Sequence, residues 1–123
     1  MKHLKAAAVL VLYVLLATTI LAQTKAPKIT VSPEKVLHPY PVQMKGSGFS
    51  PKSDVLSHLR RPDGTEFRIL QMYTNTKGEI DHEIDTIVMV PGVYDLWVED
   101  PKAKTTSNVA HFEVTHDPKD LEK

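Results

Sequence analysis

Apolar and polar residues alternate with a period of two through seven short segments of this chain, the pattern of strands with one buried face. Lys28 to Ser32 sets Ile29 and Val31 on one side, and Val42 to Gly46 does the same with Val42 and Met44. Val55 to Arg60 puts Val55, Ser57 and Leu59 opposite Leu56, His58 and Arg60; Phe67 to Met72 puts Phe67, Ile69 and Gln71 opposite Arg68, Leu70 and Met72. Glu79 to Thr86 alternates Ile80, His82 and Ile84 with Asp81, Glu83 and Asp85. Val93 to Glu99 alternates Tyr94, Leu96 and Val98 with Val93, Asp95, Trp97 and Glu99, and Asn108 to Thr115 alternates Ala110, Phe112 and Val114 with Val109, His111 and Glu113.

Turn formers punctuate these segments: Gly46-Ser47-Gly48, Ser50-Pro51, Asp63-Gly64, Asn75 to Gly78, Pro91-Gly92 and Asp100-Pro101. Glycine supplies positive φ there and proline presets the entry to a turn. No window beyond the first 22 residues carries helical periodicity over ten residues. Seven strands at roughly ten-residue spacing predict a two-sheet antiparallel sandwich over residues 29–115, after a short linker at 23–28 and before a polar tail at 116–123. Ile29, Val31, Met44, Leu59, Tyr94, Leu96, Val98, Phe112 and Val114 are the expected inward set.

The start of the chain follows another rule. Lys2, His3 and Lys5 precede an apolar run from Ala6 to Leu16, and Ile20-Leu21-Ala22 leads into the polar Gln23-Thr24-Lys25. That is the layout of a secretory signal peptide, 1–22, with cleavage after Ala22. Thr18 and Thr19 interrupt the run short of the ~20 apolar residues of a membrane span, so membrane attachment is expected only if the segment is retained. There is no cysteine, which excludes a disulfide framework and thiol chemistry, so the core alone must hold the exported domain together. Of 15 basic residues, Lys2 and Lys5 lie in the leader, leaving 13 against 15 acidic ones in the mature chain. This near-neutral balance speaks against nucleic acid as a partner.

The series Gly46-Ser47-Gly48-Phe49-Ser50-Pro51, Pro62-Asp63-Gly64, Asn75 to Gly78 with Glu79-Ile80, Pro91-Gly92-Val93-Tyr94, and Thr106-Ser107-Asn108 leading to Phe112-Glu113-Val114 resembles the bacterial immunoglobulin-like modules of exported and surface proteins. The resemblance covers nearly all of Ile29 to Thr115. It implies a seven-stranded Greek-key sandwich serving as spacer, adhesion module or accessory binding domain. The chain has no Cys pair and no tryptophan in its third strand, unlike antibody domains. On such a fold Tyr94, just after Pro91-Gly92, suits a tyrosine corner, and Phe49 suits a plug at one end.

Catalytic motifs are lacking: no serine sits in a nucleophile elbow, no histidines occupy a helical metal motif, and no glycine-bearing acidic loop would hold calcium. The chain is therefore expected not to be an enzyme and to need no cofactor or metal. The candidate binding residues are Trp97, His58, His111, Asp95, Glu99 and Arg60, which share the outward alternation of the third, sixth and seventh strands. A ring left in water at mid-strand forfeits about 2 kcal/mol of burial, so Trp97 is either covered, for example by the stem of Arg60, or it binds. Sugars stack on such rings, and protein partners use tryptophan as an anchor. The expected partner is an extracellular or envelope protein or a carbohydrate; the other function class is a spacer or envelope assembly subunit without a ligand site. His82, between Ile80 and Ile84, reads as a histidine at the rim of the core.

Overall fold

The computed structural model describes residues 26–121, so the signal segment and its expected cleavage point lie outside the described residues. Nine strand segments appear in order: β1 (Lys28–Ser32), β2 (Lys35–Leu37), β3 (Val42–Ser47), β4 (Asp54–Arg60), β5 (Leu70–Tyr73), β6 (Ile80–Ile84), β7 (Gly92–Asp100), β8 (Thr105–Thr106) and β9 (Ala110–Thr115); a helical turn, α1 (Pro118–Leu121), ends the described chain. One sheet has the order β1-β3-β6; the other has six strands, in the order β2-β9-β7-β4-β5 with β8 paired antiparallel to the end of β7. The chain changes sheet at every step from β1 to β4, then from β5 to β6 and from β6 to β7. This is an immunoglobulin-like Greek-key sandwich.

The strands differ in two ways from the expected seven in an antiparallel arrangement. Beyond the expected first strand, Lys28 to Ser32, which pairs antiparallel with β3, the chain passes Pro33 and adds β2, which crosses to the other sheet and pairs parallel with β9, placing Val36 beside Val114. Proline lacks the N–H that would continue the first ladder, so the chain changes sheets there. The second difference is parity in the fourth strand. Arg60 bridges Glu66 and Phe67 N–H donates to Leu59 O at 2.8 Å, yet further on Leu70 pairs with Ser57 and Met72 with Val55. One extra residue is therefore accommodated around Arg68-Ile69, as in a β-bulge. Phe67, Leu70 and Met72 face inward, whereas Ile69 is half exposed and Gln71 is exposed, which corrects the unbroken alternation read from Phe67 to Met72.

The core matches the expected inward set. Ile29, Met44, Tyr94, Leu96, Val98, Phe112 and Val114 are buried with Val42, Val55, Ile80 and Ile84, and Val31 and Leu59 pack against them. Tyr94 stacks on Phe112 with centroids 5.4 Å apart and donates its hydroxyl to Val90 O at 2.8 Å, closing a tyrosine corner. Burial raises the Tyr94 pKa, while the hydrogen bond to Val90 opposes the rise. Phe49 is buried at one end, and its N–H meets Gly78 O. Gly78 has φ +73°, and a Cβ there would strike the Phe49 carbonyl oxygen.

Polar pins that the strand pattern did not announce hold the same end. Thr74, 1% exposed, donates its hydroxyl to Ser50 O and accepts from Ser53 N–H. Asp100, equally buried, accepts from Ser50 N–H at 2.7 Å and Ala103 N–H at 3.2 Å. At the opposite end His116 is not loose: it stacks on His38 at 4.0 Å, and the two Nε2 atoms lie 2.9 and 2.8 Å from Met89 O and Ile87 O, pinning the β6–β7 loop.

Candidate functional site

The outer face of the six-stranded sheet brings all six candidate residues together. Register places His58 opposite Trp97, Arg60 opposite Asp95, and Asp95 opposite His111, so β4, β7 and β9 each contribute to one patch. The reason is local: period-two alternation turns Leu59, Leu96 and Phe112 inward, which forces their neighbours outward on three adjacent strands.

Trp97 is neither fully open nor fully covered. Its ring stacks on His58 with centroids 5.1 Å apart and planes 6° apart, and the Arg60 guanidinium carbon lies 5.2 Å from the ring centroid, within cation–π range. His58 is consequently 9% exposed despite lying on the outer face. Its Nδ1 lies 3.2 Å from Glu66 Oε1. Its Nε2 lies 2.7 Å from Glu99 Oε1 without hydrogen-bond geometry, so this buried nitrogen has no hydrogen-bond partner.

Asp95 anchors the second half of the patch. Arg60 Nε and Nη2 donate to its Oδ2 at 3.1 and 2.7 Å, and His111 Nδ1 lies 2.6 Å from its Oδ1. Hydrogen bonds from Arg60 first, and then from His111, lower the Asp95 pKa against a smaller opposing effect of burial. The patch is thus an aromatic ring flanked by two polar groups, Glu66–His58–Glu99 and Arg60–Asp95–His111, of which Arg60–Asp95 is an ion pair. Such a surface offers a partly exposed π-face and hydrogen-bonding groups at fixed positions, and lacks a nucleophile paired to a base.

Glu66 belongs to this patch and was missed by strand alternation, because it lies in the turn region. The hairpin itself carried the signal: Gly64 N–H bonds to Arg61 O and Arg61 N–H to Thr65 O, so counting outward from Pro62-Asp63-Gly64 sets Arg60 against Glu66. Asp63 stabilises that turn by accepting from the Thr65 hydroxyl and N–H, which lower its pKa. Among the described residues no group of three or more His, Asp or Glu is placed to hold a metal ion. His82 sits in the inward alternation of β6, half-buried at the rim, as its sequence position indicated.

No protein-family model matches the chain, and no curated protein sequence matches it. Among solved structures, it is similar to part of PorZ, an essential bacterial surface component of the type-IX secretion system of Porphyromonas gingivalis, with 18% identity and a TM-score of 0.49. That match covers 71% of this chain and 11% of PorZ, so the chain spans about a tenth of that protein. A CARDB domain from Pyrococcus furiosus matches with 16% identity over 77% of this chain and 90% of its own, at a TM-score of 0.44. A PKD domain of an M14-like peptidase from a Thermoplasmatales archaeon matches with 18% identity over 74% and 92%, at 0.38.

Proposed function

We propose that this chain is an exported, non-enzymatic immunoglobulin-like module that binds a carbohydrate or a protein through the outer face of its larger sheet, with Trp97 as the contact ring. The periplasm, the cell surface or the medium would be its place of work. The observation that carries this reading is the position of Trp97: a ring at mid-strand, steadied by His58 and Arg60 yet still partly open, amid Asp95, Glu99 and His111. Pre-ordered rings lose little entropy on binding, and fixed polar neighbours supply orientation.

The internal pairing of the charges favours a second reading, a spacer or envelope assembly subunit whose sheet face is complete in itself. One measurement separates the two. Trp97 is the only tryptophan, so intrinsic fluorescence reports on this patch alone. Titration with soluble cell-wall and plant oligosaccharides should shift its emission saturably for at least one glycan class. Trp97→Ala, followed on the same glycan by calorimetry, should weaken binding at least tenfold while lowering the melting temperature by only a few degrees. Saturable binding that Trp97→Ala leaves untouched would move the site elsewhere. A collapse of the melting temperature would make the ring structural.

A further inference from the structure

Three of the four sheet edges among the described residues carry evident protection against pairing with another chain. Strand β1 starts with Lys28 and is followed by Pro33; β2 has three residues between Pro33 and Pro39; β6 presents Asp81 and Glu83. Short length, proline and charge are the devices by which native edges avoid pairing with other chains.

The fourth edge, β5, is also short at four residues, but it has neither proline nor charge over its regular part. It pairs only with β4 among the described residues, and the run from Ile69 to Thr76 contains no charge. Leu70 points inward yet is 44% exposed, and Tyr73 is 65% exposed. The reason is that a six-stranded sheet faces a three-stranded one, leaving β5 with little beneath it. A groove of about 220 Å³, lined by Leu59, Phe67, Leu70, Ile84, Val88 and Met89, opens beside it.

Backbone polarity at this edge is set by the neighbouring strand. Thr74 N–H donates to Ser53 O on the β4 side, and the pairing continues in register through Met72↔Val55 and Leu70↔Ser57. In an antiparallel ladder, alternate residues bond to the same neighbour. The N–H and C=O groups of Gln71 and Tyr73 therefore point to the free side.

We infer that the β5 edge pairs antiparallel with the β5 edge of a second copy of this chain, about a twofold axis at Met72. Both copies must keep their inward residues on one side of the continuous sheet, so paired positions share parity. An axis at Met72 sets Gln71 against Tyr73 of the other copy, twice, and joins all four free backbone pairs within the regular strand. An axis at Gln71 would instead recruit Ile69, next to the irregular Arg68-Ile69 segment. The segment's neutrality favours the second copy as occupant: pairing with itself brings no like charges together, whereas β6 against itself would oppose Asp81 and Glu83. The two apolar grooves would then lie under one continuous sheet. A contact through one short edge is small, so the dimer is weak and concentration-dependent.

Sedimentation equilibrium on the mature chain tests this directly. The weight-average mass should rise toward twice the monomer value as concentration is raised from about 10 μM to about 1 mM, as a weak contact through a small interface requires. The double variant Gln71→Lys/Tyr73→Lys alters two exposed side chains, and the proposed axis sets each lysine against the other in the second copy. It should remain monomeric over that range with an unchanged melting temperature. Because the chain has no cysteine, Met72→Cys adds a geometric check: Cα atoms across a non-hydrogen-bonded pair lie about 4.5 Å apart, within disulfide reach. Mild oxidation should yield a covalent dimer from Met72→Cys and none from Asp81→Cys on β6. Monomeric wild type at 1 mM would overturn the inference and leave this edge to a strand of a different protein. Dimerisation that survives the lysine pair but is lost in Trp97→Ala would overturn it in favour of the sheet face.

Discussion

Replacing Asp100 by alanine is the most informative perturbation of this fold. The carboxylate is 1% exposed and ties two chain segments together, accepting from Ser50 N–H at 2.7 Å and from Ala103 N–H at 3.2 Å. Hydrogen bonds to a charged group contribute about 1.5–3 kcal/mol each. The longer Ala103 bond lies in an exposed turn where water can replace it, so the loss at neutral pH should be about 2–4 kcal/mol, most of it from the Ser50 contact. In a domain with about 5–15 kcal/mol of stability this is a large fraction. The effect also has a pH signature. Burial pushes the Asp100 pKa up, but the backbone donors of Ser50, Ala103 and Lys102 outweigh it, and the net shift is downward. An unfolded aspartate takes up its proton near pH ~3.9, whereas the folded one stays charged to lower pH. Its stabilisation is therefore complete above that value and is lost as pH falls through the folded pKa. Urea melts of wild type and Asp100→Ala, followed by Trp97 emission, should show a gap at pH 7 that narrows in strong acid. Asp63 and Asp95 titrate in the same direction but are present in both proteins and cancel from the difference. A gap below about 0.5 kcal/mol at pH 7, or one that does not narrow in acid, would refute the assignment.

Other substitutions test the core and the turns. Leu96→Ala, at a position 1% exposed, should cost about 2–5 kcal/mol through lost burial and a cavity. Asp95→Ala, its neighbour on the outer face, should cost clearly less in the same denaturant melts, and the reverse order would mean a one-residue register slip. Gly64→Ala and Gly78→Ala form a matched pair, since both glycines have positive φ but only Gly78 is crowded by the Phe49 carbonyl. Thermal melts should show about 1 kcal/mol for Gly64→Ala, the backbone term alone, and several times that for Gly78→Ala.

Alternation of apolar residues was enough to determine that this chain is a β-sandwich, which side chains fill it, and that Trp97, His58, Arg60, Asp95, Glu99 and His111 turn outward. Those facts follow from a two-residue side-chain period and the free energy of apolar burial, both of which act locally along the chain. Tyr94 was also legible, because a tyrosine just after Pro91-Gly92 at a strand start has one stable place for its hydroxyl. Local pattern does not carry information about strand neighbours or pairing offsets, and there the tertiary structure decided. It moved β2 to the second sheet, inserted the extra residue that reverses parity before Leu70, and brought Glu66 beside His58. It also set Thr74 and Asp100 among the loops they pin, and placed His58 and Arg60 against the ring of Trp97. Each of these depends on groups far apart in sequence meeting at hydrogen-bond or stacking distance, and only the packed sheets determine which of them meet.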